Sequence, residues 1–233
     1  RRFVAHYGGS DYTGYLDSAT RGTLEKVPRG PDGAPAPDFS FQSGADDDQL
    51  ATATSLAPVV ARYYDTPEFA DRVTEVTRVR QNHPRSIAYM QIYAQILERL
   101  LKGIDLHSAV HQVQETAAKH PEFGEELTLR FKAVFERKHM DTSEATEQLG
   151  QSCPLKNSFP GALLAVVQTQ DDFEATLLRI AAAGGDNAGR AAIAGALLGA
   201  HLGIDGIPAS LQEKVLAKPR IDAAIEKMDR FLV

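Results

Sequence analysis

Apolar residues in this chain recur at three- and four-residue steps, and nowhere do they alternate strictly with polar ones. Leu50, Ala53, Leu56, Ala57, Val60 and Tyr64 make one apolar face; Ile87, Met90, Ile92, Tyr93, Ile96, Leu97 and Leu100 make a broader one. That period leaves an all-α fold as the reading, and the lack of a fixed-length repeat sets a solenoid aside. Helices are predicted over residues 15–26, from 49 with a bend or early stop at Pro58, and from near Pro67. Others are predicted over 84–101 before Gly103, then 106–118, 122–135, and a short buried one opened by Pro160. The last three fall over 173–183 capped by Asp171 and Asp172, after Asp186, and over 221–232. Residues 140–151 read as a polar connection, and residues 28–43, with four prolines, as a long surface loop. With 233 residues, 43% of them hydrophobic, residues 1–233 are expected to form a single multi-helix domain around one core.

The net charge of −6 argues against direct nucleic-acid binding, which rests on Lys and Arg contacts to phosphates. No apolar run approaches the ~20 residues of a membrane helix. The one cysteine, Cys153, cannot form an internal disulfide. With no signal-peptide pattern at the start, a cytoplasmic location is expected.

Two acidic segments carry candidate chemistry. Asp46, Asp47 and Asp48 stand in a row, and Asp186 follows a Gly-Gly pair at the start of a helix. Each allows two readings: a helix start, where an acid gains ~0.3–1 kcal/mol from the dipole, or oxygen ligands for a hard divalent cation. In the helix after Asp186, Gly195, Gly199 and Gly203 recur at four-residue steps. Close helix–helix packing is the expected reason. His107 and His111 lie one turn apart, a spacing able to chelate zinc, but no third ligand follows. Cys153 reads as a small apolar residue before a turn rather than a nucleophile. No Walker A loop, Gly-x-Gly-x-x-Gly or Gly-x-Ser-x-Gly is present.

The segment GGDNAGRAAIAGALLGAHLGIDGIP resembles the C-terminal signature of the ADP-ribosylglycohydrolases, in which Gly-Gly-Asp-x-Asp-Thr opens an Ala/Gly-rich helix. FPGALLAVVQTQDDFEATLLRIAAAGGD resembles the stretch before it, and DDDQLATATSLAPVVARYY falls where the family has Ser/Thr-Asp-Asp-Thr. VTRVRQNHPRSIAYMQIYAQILERLLKG is similar to the middle helices, so the resemblance spans residues 44–208. It implies an all-α orthogonal bundle and hydrolysis of the glycosidic bond between ADP-ribose and an acceptor, with magnesium or manganese ions. On that resemblance Asp46, Asp47 and Asp186 would be metal ligands, with Asp47 and Asp186 at the catalytic centre. Asp48, Asn82, Gly184, Gly185, Asn187 and Arg190 would border the substrate, an ADP-ribose-containing small molecule or an ADP-ribosylated protein.

The departures have their own implications. Ala45 stands at the family's Ser/Thr, and Ala188 and Gly189 replace an aspartate and a threonine, so a single ion or none is the expectation. The family's first helix has no counterpart, as though the chain began in mid-domain. Several changes resemble those of the J-type crystallin and selenoprotein J subgroup, where Arg190 would sit close enough to pair with Asp186. The alternative function is therefore a non-catalytic, crystallin-like structural or binding protein.

Overall fold

The computed structural model describes residues 2–9, 11–28 and 42–229; of the loop expected over 28–43, all but Pro28, Gln42 and Ser43 lie outside these. Among the described residues the fold is all-α, with no strand and only two isolated bridges, Ala45 to Gln81 and Gln49 to Pro154. The helices run α1 (Arg2–Tyr7), α2 (Ser18–Lys26), α3 (Ala53–Tyr63), α4 (Phe69–Arg80), α5 (Pro84–Leu101), α6 (Leu106–Ala117) and α7 (Gly124–Arg137). They continue with α8 (Thr142–Leu149), α9 (Leu155–Thr169), α10 (Phe173–Ala182) and α11 (Asn187–Leu202). A 3₁₀ turn at Ile204–Gly206 leads to α12 (Ala209–Glu213) and α13 (Lys218–Asp229). No described helix is long and apolar enough to cross a membrane.

Helices α5, α9 and α11 form the centre. α9 is buried on every side, from Ser158 through Val167 without interruption, which is the pattern of a helix enclosed by others. It packs against α7, α8, α10 and α11, while α5 packs against α3, α4, α6 and α11. Tyr89 of α5 meets Phe159 of α9 edge-on, with ring centroids 5.5 Å apart. Beside this core a small cluster of Val4, Leu24 and Val27 joins α1 to α2.

Several local expectations are corrected. Pro160 does not open a helix: α9 begins five residues earlier, and Pro160 lies within it. Burial of both flanks outweighs the single backbone bond that proline withholds, and that bond would have ended on exposed Lys156. Of the bend or early stop expected at Pro58, the early stop does not occur: Pro58 sits inside α3, which continues to Tyr63. Residues 142–149, read as connection, form α8; Asp141 accepts from the N–H groups of Ser143 (2.9 Å) and Glu144 (3.1 Å). The Asp-x-x-Glu spacing of Asp141 and Glu144 was the available signal. Helix α2, expected from residue 15, starts at Ser18 because Asp17 caps it, and only Asp172, not Asp171, caps α10.

The glycine stripe of α11 does not mark close packing. A Cβ at Gly195 would stand 3.7 Å from Phe173, and one at Gly199 would stand 3.8 Å from Ile207; both are ordinary contacts. Gly203 ends the helix with φ +72°. The close approach is one turn into α11 instead, at Gly189. A Cβ there would lie 2.9 Å from Leu50 and 2.8 Å from the Asp186 carboxylate.

Candidate functional site

The absence of a side chain at Gly189 lets Leu50, on the segment after the three aspartates, press onto the first turn of α11. The stretch just after the first acidic segment and the start of the second, far apart in sequence, therefore share one cavity of about 420 Å³, whose walls include Asp186 but not Asp46, Asp47 or Asp48. Its walls are Tyr15 and Asp17 before α2, Gln49 to Ala51 and Thr54, Cys153, and Gly185, Asp186 and Gly189.

A third loop joins the two acidic segments. Gln49 bridges Pro154, and the Leu155 N–H donates to the Asp48 carbonyl at 2.7 Å. At the other end of this loop the Gln151 carbonyl accepts the Asp186 N–H at 3.0 Å and Nη1 of Arg190 at 3.3 Å. Gly184 and Gly185 both have positive φ, +69° and +64°, a backbone shape costly for other residues. Their turn aims the Gly184 carbonyl at Nη2 of Arg190 and sets Asp186 to cap α11, its Oδ1 accepting the Gly189 N–H at 3.1 Å.

The first acidic segment is pinned by Gln81, which sequence reasoning missed. Gln81 is fully buried. Its Nε2 donates to Asp47 Oδ1 (2.8 Å), the Asp47 carbonyl (3.3 Å) and the Gln49 carbonyl (2.8 Å), and its Oε1 accepts the Thr52 N–H at 2.7 Å. This network keeps residues 47–52 out of a helix, so α3 starts at Ala53 and not at 49. Arg85 and Glu126 were missed as well. Arg85 reaches Asp48 at 2.8 Å and Glu126 at 3.1 Å, and the Tyr89 hydroxyl donates to Glu126 at 2.8 Å. Only the tertiary fold brings Glu126 of α7 to Asp48, so no local pattern announced it.

Of the residues singled out in the sequence, Gly185 and Asp186 line the cavity. Asp46 is exposed, Asp47 is bound to Gln81, and Asp48 is paired with Arg85. The Asn82 side chain donates to the Gln42 carbonyl at 3.3 Å, and His83 caps α5. Asn187 is the first residue of α11, and Gly184 serves Arg190. Arg190 is 1% exposed and forms no ion pair with Asp186: its donors go to two backbone carbonyls. It braces the loop from inside and does not reach the cavity wall. The reason is Gly161, over which the guanidinium stem lies; a Cβ there would meet Arg190 Cδ at 3.0 Å.

The electrostatics tie Asp47 and Asp186 together. Burial pushes the Cys153 thiol up, and Asp186 and then Asp47 push it further, so both carboxylates act on this one sulfur. A thiol held protonated is a poor nucleophile. Burial also pulls the Arg190 guanidinium down, against the opposing pull of Asp186.

Two hard cations would each want about six oxygen ligands. Among the described residues no three His, Cys, Asp or Glu side chains gather to hold an ion, His107 and His111 included. Ala45, Ala188 and Gly189 bring no side-chain oxygen. This donor set does not fit a pair of ions. A single hydrated magnesium needs only one or two carboxylates plus water and substrate oxygens; Asp186 stands on the cavity wall, and Asp47 is bound to Gln81.

Burial alone would raise the Glu126 carboxyl, but bonds from Arg85 and Tyr89 outweigh it and hold the group below the usual glutamate range. A depressed carboxyl stabilises the fold above its unfolded value, about 4.3, and that contribution fades as pH falls through the folded one. Wild type should therefore melt above Glu126→Gln at neutral pH. The gap should narrow as pH falls below the unfolded value and close once pH has passed the folded one. Thermal melts of both proteins across these pH values check this; a constant gap would show that Glu126 is not linked to folding.

Fold and cavity together define a class: all-α proteins with a cavity between an Asp-capped helix start and the stretch that follows a second Asp cluster. The ADP-ribosylglycohydrolase family model matches residues 1–232, and the chain belongs to that family. It is similar to two crystallins of Tripedalia cystophora. Crystallin J1A is 25% identical over 170 residues, 72% of this chain and 51% of that one. Crystallin J1B is 26% identical over 176 residues, 75% and 52% respectively. The chain thus spans about half the length of the curated relatives it matches.

Proposed function

We propose that the cavity between the two acidic segments takes the ADP-ribosyl group of a small molecule or a modified protein and hydrolyses its glycosidic bond. The observation that carries this reading is the shared cavity itself, with Asp186 on its wall together with Gln49 to Ala51, the stretch that follows the first acidic segment. Asp186 is the group that faces the substrate: its carboxylate accepts hydrogen bonds from ribose hydroxyls and takes the proton of the attacking water. Asp47, held by Gln81, adds negative charge beside the oxocarbenium-like centre. A single divalent ion held by Asp47 and Asp186 would supply Lewis-acid polarisation. Cys153, kept neutral, lines the same cavity as Asp186.

Magnesium with ADP-ribose at about 100 times its dissociation constant should add ~2.7 kcal/mol to stability. For a domain of this size that raises Tm by about 5–10 °C. A flat Tm, together with no release of ADP-ribose from modified substrates, would overturn the proposal. The second reading, a crystallin-like protein without turnover, is favoured by Ala45, Ala188 and Gly189 at positions that bring no ligand oxygen. It requires no release of ADP-ribose at any metal concentration.

A further inference from the structure

Tyr15 is the aromatic side chain on the cavity wall, and it is 81% exposed there. The aromatic rings before it in the chain hold one another: Phe3 lies against Tyr7 at 4.9 Å, and Tyr7 against Tyr12 at 5.0 Å. Among the described residues Tyr15 has no such ring partner. Its backbone, in contrast, is fastened. The Tyr12 hydroxyl donates to the Tyr15 carbonyl at 3.1 Å, passing over Gly14, where a Cβ would meet that hydroxyl oxygen at 2.5 Å. Two residues on, Asp17 caps α2 through the Thr20 N–H at 2.7 Å and contacts Arg80 at 3.7 Å. The chain thus anchors the main chain on both sides of Tyr15 and leaves a large flat ring open to solvent at the rim of a cavity. None of the other wall residues named above carries an aromatic ring, so Tyr15 is the surface on which a flat π-system can lie.

Resting on the reading that this cavity takes an ADP-ribosyl group, we infer that Tyr15 is the stacking platform for the purine base. The ribose nearer the scissile bond then points toward Asp186, also on the cavity wall. A cavity of about 420 Å³ lies within the ~300–1,000 Å³ range of small-molecule sites. Tyr15 is a binding and specificity residue that does not touch the reacting bond. A ligand with a base is favoured over one that ends at a ribose phosphate.

The chain contains no tryptophan, so Tyr15→Trp creates a single indole reporter at this rim. Titrating that variant with ADP-ribose should quench indole fluorescence, and ribose 5-phosphate should not. By calorimetry, Tyr15→Ala should bind ADP-ribose about 5- to 100-fold more weakly than wild type, with Tyr15→Phe close to wild type. Affinity for ribose 5-phosphate should stay the same in all three. The ring is exposed, so Tm should be unchanged, which separates a binding loss from unfolding. Equal ADP-ribose affinity in wild type and Tyr15→Ala, or quenching by both ligands alike, would overturn the inference and leave the proposed function standing. Failure of wild type to bind ADP-ribose would overturn both.

Discussion

Asp186→Asn is expected to lower the release of ADP-ribose by about 100-fold or more while leaving Tm nearly unchanged. The two effects separate because of where the residue sits. Its Oδ1 caps α11 through the Gly189 N–H at 3.1 Å, and asparagine offers an equivalent oxygen for that bond. Asparagine cannot take a proton from water, so the chemistry fails and the cap survives. Asp186→Ala should lose the same activity and also about 1 kcal/mol of stability, because the cap goes with the carboxylate. Measuring turnover and melting on both variants tests the assignment. Turnover within threefold of wild type in Asp186→Asn would remove this carboxylate from the reaction.

The largest stability loss is expected at Gln81. Gln81→Leu conserves volume but abandons the four hydrogen bonds that hold residues 47–52. It leaves the Thr52 N–H and the Gln49 carbonyl without a partner, and it takes one of two donors from the Asp47 carbonyl and from Asp47 Oδ1, which keep Ser86 and the Gln49 N–H. At ~1–3 kcal/mol for each group left unsatisfied, partly offset by relaxation, the net cost is about 4 kcal/mol. For a chain of this length that corresponds to a fall in Tm of about 8–16 °C. A Tm within about 2 °C of wild type would mean that the loop holds its shape without Gln81.

The two residues behind these predictions differ in how visible they were in the sequence. Asp186 stands out because a Gly-Gly-Asp start is a local pattern with a local cause: two left-handed backbone positions followed by a cap. The helix Pro84–Leu101 was legible to the residue for the same reason, with proline at its start, a glycine after it and a continuous apolar stripe between. Gln81 had no such signal. It reads as one more polar residue at the end of α4, and its partners lie about thirty residues earlier. Glu126 was hidden in the same way. The helix start expected at Pro160 and the early stop allowed at Pro58 fail for a different reason: both prolines are local breakers overruled by the packing around their helices. At Gly195 and Gly199 the spacing was real but the inferred close contact was not, because spacing alone does not say which neighbour fills the groove.

The loop from Gln151 to Leu155 has a mechanical consequence. At one end it bonds to the Asp48 segment and at the other to the turn before α11, so it acts as a tie-rod between opposite banks of the cleft. Neither bank can shift alone without pulling on the other. Lesions on the two sides therefore draw on one shared spring, and their combined effect departs from the sum of the separate ones.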